Sequence, residues 1–367
     1  MAIVVSTAAA SFERCGSLDA LDDDAATTAL ARVPFLGHGA VRCVCRRLRR
    51  LVDSPGFRRE RRAWGVERAV VFAGGRLNHD DARKSTLAWG AVARGAWRSV
   101  AAMPEGRAAA AVGAVGGDVV VAGGLARGDP GSRRAEAITA EVLAYAVAGD
   151  AWRRLAPLPE RRFSAAGAAV GDAFFVVGGS CDGVSVTGRV DVYDVATNTW
   201  ARAAPLPVAA MTAACGVVGE TVVVAGGCRD TDVALDACQI FDVAAGTWRL
   251  GPPMPQAVDD AAHCVYGGEL FVVGGVDARG GRLATVFRFD GARWRRGPDL
   301  PHAVAGASAA VHGGAILLFH AARPGDAAAG GHLAFAGGAW ESRGDLGLPG
   351  PARQLALPIV CANVLLG

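Results

Sequence analysis

Lysine is all but missing from this chain of 367 residues: Lys84 stands alone, so 37 of the 38 basic Lys and Arg side chains are Arg. Against them stand 35 Asp and Glu, and the resulting charge of only +3 argues against binding a polyanion with the whole protein. Paired cysteines are absent too. The nine Cys, at 15, 43, 45, 181, 215, 228, 238, 264 and 361, form no Cys-x-x-Cys pair and no His/Cys cluster with zinc-finger spacing, so no metal is expected. Their odd number and apolar surroundings read as buried free thiols in a reducing cytoplasmic and/or nuclear setting. The seven His show no His-x-His or HExxH spacing, and no GxGxxG opens a helix after a strand, so the sequence supports neither a metalloenzyme nor a nucleotide site. Met1–Phe12 is apolar but lacks the basic start of a signal peptide. Pro301–Ala322 has no charged residue, yet it contains a Pro, three His and four Gly or Ser. It reads as two strands, not a membrane span.

Glycine and tryptophan, by contrast, are plentiful. The 50 Gly are about twice the usual share, and 51% apolar residues rule out a disordered chain. The Gly lack the three-residue period of collagen. They follow a longer one. Trp97, Trp152, Trp200, Trp248, Trp294 and Trp340 are separated by 55, 48, 48, 46 and 46 residues. Seven residues after the first five lie Pro104, Pro159, Pro207, Pro255 and Pro301. Gly-Gly pairs begin 19 residues after the first four of these, at Gly123, Gly178, Gly226 and Gly274; a further pair, Gly74-Gly75, precedes the first repeat Trp.

Each pair ends a short Val- and Phe-rich run, such as Phe174–Val177 or Val222–Ala225, with the look of a fully buried strand. Upstream lies an Ala-rich strand closed by a hairpin signal, such as Gly171-Asp172 or Gly267-Gly268. Downstream comes a strand with an aromatic (Tyr145, Tyr193, Phe241, Phe289, Phe335), then a turn and the Trp strand. One unit is thus four short strands, which matches a propeller blade. The order Gly-Gly, aromatic, Trp resembles the kelch family in detail, and the resemblance covers about Val66–Gly367. It implies an all-β six-bladed kelch β-propeller. The first copy lacks a first strand, so the C-terminal strand Leu355–Val360 is expected to complete that blade and close the ring, sparing the sheets an open edge.

Before Gly65 the period changes. Val41, Val44, Cys45, Leu48, Leu51 and Val52 fall on one helix face, Ser54-Pro55 starts another helix, and Asp22–Asp24 favours the N-terminus of a helix over Ala25–Val33 that Pro34 ends. This small N-terminal all-α segment resembles an F-box, through Leu21-Asp22-Asp23-Asp24, Val33-Pro34, Val44-Cys45-Arg46-Arg47-Leu48 and Ser54-Pro55-Gly56-Phe57. Asp22 replaces the family's early Pro and Leu48 its usual Trp. The expected layout is a flexible N-terminus (1–17), an F-box-like helical module (18–65) and the propeller (66–367, closed by strand 355–360).

The resemblance implies a substrate-recognition subunit of an SCF-type (cullin-RING) ubiquitin ligase: a non-catalytic chain without cofactor whose F-box binds a Skp-type adaptor within the cullin complex. The propeller would capture a protein target whose identity the sequence does not carry. Candidate adaptor contacts are Leu21, Leu30, Val33, Pro34, Val44, Leu48, Leu51 and Phe57, several of which equally suit the module's own core. Loops after each Gly-Gly and after each Pro share one face of the propeller. The expected target surface there has a basic half, Arg107, Arg127, Arg133, Arg134, Arg161 and Arg162, and a mostly acidic half, Arg229, Asp230, Asp232, Asp236, Asp259 and Asp260. The nine Arg within Arg42–Arg62 lack interleaved aromatics apart from Phe57, so nucleic acid is not the expected partner, and no membrane is either. Some kelch propellers are copper-radical oxidases, but Tyr145 and Tyr193 occupy the packing slot here, and His302, His312 and His320 are read as structural. The competing reading is a kelch interaction scaffold outside any ligase.

Overall fold

The computed structural model describes residues 22–31, 46–52, 54, 57, 68–73, 76–78, 81–84, 88–91, 96–99, 101, 103–127, 136–146, 150–230, 233–312, 314–320, 331–345 and 360–365. Two helices come first: α1 (Asp23–Ala31) and α2 (Arg46–Val52). Asp22 caps α1, its Oδ1 accepting the Ala25 N–H at 2.7 Å. The residue that departs from the F-box pattern therefore satisfies an orphan amide at the helix start. Arg47 of α2 ties the helices together by donating from Nε to Asp23 Oδ1 at 2.9 Å. Ser54 caps the next turn through Oγ, which accepts the Phe57 N–H at 3.1 Å. The helix expected over Ala25–Val33 lies two residues earlier.

Five four-stranded antiparallel sheets follow, each folded from one continuous stretch. Blade I comprises Ala111–Val115, Asp118–Ala122, Val142–Ala146 and Ala151–Leu155; blade II comprises Ala166–Val170, Ala173–Val177, Val190–Asp194 and Thr199–Arg202. Blade III comprises Ala214–Val218, Thr221–Ala225, Cys238–Asp242 and Thr247–Leu250; blade IV comprises Ala262–Tyr266, Glu269–Val273, Val286–Phe289 and Trp294–Arg296. Blade V comprises Ser308–His312, Ala315–Phe319, Gly331–Ala336 and Ala339–Asp345. The expectation of six blades is corrected to five, counted as repeats that each fold from one stretch. The unit expected as a further blade is a composite sheet of the two chain ends, in the order Val360–Leu365, Arg68–Ala73, Ala88–Ala91, Ala96–Ser99. Its C-terminal strand pairs Val364 with Ala69 and lies beside the first strands of blades I and V. The described strand is Val360–Leu365, which shares Val360 with the expected span Leu355–Val360; residues 355–359 lie outside the described residues.

The second strand of each of blades I to IV is buried on both sides except at its first residue, because each blade is sandwiched between neighbours. Separate apolar clusters fill the four spaces between the five blades. Two repeated contacts lock the blades together. Each Trp indole N–H donates to the carbonyl four residues past the preceding repeat's Trp: Trp152 to Ala101 (2.9 Å), Trp200 to Ala156 (2.8 Å), Trp248 to Ala204 (2.8 Å), Trp294 to Pro252 (3.0 Å) and Trp340 to Pro298 (3.1 Å). Each Trp ring also packs on the aromatic of the adjacent strand, from 4.9 Å between centroids for Phe289–Trp294 to 5.3 Å for Tyr145–Trp152.

The second contact explains the Gly-Gly pairs. The second Gly of each pair donates its N–H to the carbonyl three residues past the next Pro: Gly124 to Arg162 (2.7 Å), Gly179 to Ala210 (2.9 Å), Gly227 to Val258 and Gly275 to Val304 (both 2.8 Å). Both glycines of Gly178-Gly179 have φ above zero, 67° and 91°, and a Cβ at Gly178 would sit on the Ala210 carbonyl oxygen. The pair supplies left-handed backbone and close approach together.

Candidate partner face and axial pocket

Chain direction places the start of every inner strand, the loop after every Gly-Gly and the loop after every Pro on one face. Five residues past the repeat Pro, the chain turns into the inner strand through a left-handed residue: Ala109 (φ 51°), Ser164 (53°), Thr212 (54°), Asp260 (50°) and Gly306 (62°). Their backbones join around the axis. Ser164 N–H donates to Ala109 O at 2.7 Å, Thr212 to Ser164 at 2.9 Å and Gly306 to Asp260 at 3.1 Å. Inside this ring lies a cavity of about 190 Å³, lined among the described residues by the polar Ser164, Thr212, Asp260, His263 and Ser308 and by Ala, Gly and Val.

Asp260 is the charged member of that lining. Burial, and then the neighbouring Asp259 carboxylate, push its carboxyl up to about 6; the Arg282 charge and the Gly306 amide act the other way. Asp259 has its own partners, since the Thr212 hydroxyl and the Asp260 N–H both donate to its Oδ1. Burial lowers the affinity of His263 for a proton, against the Ala261 carbonyl, which raises it. The imidazole is thus neutral at pH 7, and its Nδ1 has no hydrogen-bond partner among the described residues.

The expected target-face residues divide into groups. Asp259 and Asp260 sit at the axis, and Arg161, Arg229, Asp230 and Asp236 are exposed around it. Arg161 donates from Nε to the Cys181 carbonyl at 3.1 Å. Arg107 and Arg162 are corrected: both side chains are only 1% exposed and cannot face a partner. Arg107 pairs with Glu105 at 3.0 Å and with Glu141. Arg162 pairs with the buried Asp191 and donates to the Arg189 carbonyl at 3.3 Å. The cause is positional. Arg107 and Arg162 occupy the place three past the Pro that Ala210, Val258 and Val304 fill elsewhere, and that place points inward. Arg127 ends the small strand Leu125–Arg127, which pairs with Glu136–Ile138, but its side chain lies outside the described residues, as do Arg133, Arg134 and Asp232. The basic half of the surface thus keeps Arg161 alone among the described side chains. Sequence reasoning missed Val184 and Val233, which are exposed apolar tips in loops after Gly-Gly pairs (78% and 46% exposed). Their loop position was a usable signal, their apolar character was not. It also missed the polar ring of Ser164, Thr212 and Ser308.

In the helical module, Leu30, Leu48, Leu51 and Phe57 are buried within this chain, while Leu21, Val33, Pro34 and Val44 lie outside the described residues. Among the described side chains of α2, the exposed ones are Arg46 and Arg50. The thiols of Cys215 and Cys264 are pushed up by burial to about 12, and those of Cys228 and Cys238 to about 11, so none of these four is a thiolate at pH 7. His302 and His320 meet edge to face with Nε2 atoms 3.3 Å apart, and no group of three metal-binding side chains occurs among the described residues. The His312 side chain lies outside the described residues. Among the described residues no helix is long and apolar enough to cross a membrane.

Comparison with known proteins agrees with this architecture. The F-box domain family matches residues 18–60, and the Kelch motif matches 161–207, 211–255 and 259–301, the segments that hold blades II, III and IV. No curated protein matches the chain significantly. Among similar solved structures is one described as "Structure of YjhT", with a TM-score of 0.57 at 16% identity over 70% of this chain and 87% of that one, a likeness of fold alone. With a capped helical module followed by stitched Gly-Gly/Trp repeats, and with an F-box domain and three Kelch motifs matched in that order, this chain matches an F-box/kelch-repeat protein.

Proposed function

We propose that this protein is the target-recognition subunit of an SCF-type ubiquitin ligase, with the helical module docking a Skp-type adaptor in the cullin complex and the propeller holding the target. The single observation that carries this reading is the order of the two matched parts, an F-box over 18–60 ahead of Kelch motifs over 161–301. F-box domains generally bind Skp-type adaptors, and the F-box/kelch architecture is typical of non-catalytic adaptor proteins. In this reading Leu30, Leu48, Leu51 and Phe57 act through the module's packing, and Leu21, Val33, Pro34 and Val44 supply the direct apolar contacts. The target meets the face bearing Arg161, Arg229, Asp230, Asp259 and Asp260.

The test is co-purification of the full chain with a Skp-type adaptor, beside a chain lacking residues 1–65 whose fold is checked by circular dichroism. Capture by the full chain alone is expected. No capture, or equal capture by both chains, would instead favour a kelch scaffold that works outside a ligase.

A further inference from the structure

The axial cavity is built to accept hydrogen bonds from a cation. Among the described residues, its lining contains no Lys or Arg. Asp260 has no ion-pair partner within 4.0 Å among the described residues, and its side chain lines this space beside His263. The hydroxyls of Ser164 and Ser308 complete a ring of acceptors. At about 190 Å³ the space is smaller than the ~300 Å³ or more of a drug-sized site, yet it has room for one extended side chain. Its apolar walls of Ala109, Ala165, Ala213 and Ala309 suit a methylene stem, and the polar groups suit its charged end. Outside the cavity, Val184 and Val233 offer apolar contact on the same face.

We propose that this cavity is a specificity pocket for a single basic side chain, arginine or lysine, of the captured target, with Asp260 as its counter-ion and Ser164 and Ser308 as hydrogen-bond acceptors. The proposal rests on the reading of the propeller as a target receptor. The guanidinium group matches the pocket best, because its fan of donors can engage several acceptors at once. Among the five described repeat positions on the ring, only blade IV places a carboxylate there, which favours one orientation for the guest.

The test titrates the full chain with Nα-acetyl-arginine amide at pH 7.5, followed by amide chemical shifts, with Nα-acetyl-norleucine amide and calcium chloride as parallel probes. Saturable shifts at Ser164, Thr212 and Gly306 with the arginine probe alone are expected. Asp260→Asn should weaken that binding at least tenfold, while Asp172→Asn, in an exposed hairpin at the opposite face, should not. In the unaltered protein, binding should also fall between pH 7 and pH 5 as Asp260 takes up a proton. The groups that set this window are Asp259, His263, Arg282 and the Gly306 amide. Equal shifts with norleucine amide, saturation by calcium instead, or undiminished binding by Asp260→Asn would each overturn the proposal. Because the probe needs no adaptor, failure of adaptor capture would strike the ligase reading and leave this result standing.

Discussion

Arg162 and Asp191 are buried against each other in blade II, each with a fully covered side chain. Asp191 Oδ1 lies 3.6 Å from Arg202 and otherwise lacks a hydrogen bond. Removing one partner strands the other charge. Arg162→Ala should therefore destabilise the protein by about 3–5 kcal/mol. Blades III to V use Ala or Val at the same place, so the double change Arg162→Val with Asp191→Leu should recover most of that loss. Urea unfolding of the single and double variants measures both. An exchange of Arg162 for Glu would test folding and not target capture.

The Gly-Gly pairs make a graded prediction. At Gly178 a side chain meets both a left-handed backbone and the Ala210 carbonyl, whereas at Gly171 (φ 58°) the space around the missing Cβ is open. Gly171→Ala should cost about 1 kcal/mol, the strain of the left-handed region alone. Gly178→Ala should cost clearly more, because the Gly179 bond to Ala210 must also shift. Thermal melts of the two variants give the difference.

The indole stitch between blades III and II separates packing from hydrogen bonding. Trp248→Phe keeps a ring near Phe241, which lies 5.0 Å from the Trp248 ring, but leaves the Ala204 carbonyl without its donor. A loss of about 1–2 kcal/mol is expected, with amide exchange quickening around Ala204.

Asp260 sets a pH dependence whose sign is unusual for a carboxylate. Its folded value of about 6 lies above the ordinary 3.8, so between these pH values the folded state holds a proton that the unfolded chain has lost. Stability contributed by this group is full below pH 4 and is lost as pH rises to 6. Asp260→Asn removes the cost of burying the charge. The variant should be more stable than the parent by about 3 kcal/mol at pH 7 and match it near pH 3. Denaturant midpoints at the two pH values decide the point.

The blade pattern was legible because burial on both faces forces continuous apolar runs, and because the Trp and Gly-Gly positions each perform a task no other residue does as well. The strand expected ahead of Gly267-Gly268 is found at Ala262–Tyr266. The chain ends were less legible. The C-terminal strand borrows its partner from Arg68–Ala73, nearly three hundred residues away, so no local turn fixes its register, and the described strand runs on past the expected Leu355–Val360 to Leu365. The site was legible only in part. Arg107 and Arg162 look like loop charges until the apolar residues at the matching places in later repeats are weighed. Ala109, Ser164, Thr212 and Asp260 share a left-handed turn with only one glycine, Gly306, among the five positions, so the axial ring left no compositional mark. Asp22 and Ser54, as caps, followed from residue type and place.

The most direct measurement of the central claim is hydrogen exchange of the full chain with and without a purified Skp-type adaptor. The account predicts new protection within residues 22–57 and none in blades I to V. Protection confined to the propeller, or no change anywhere, would contradict it.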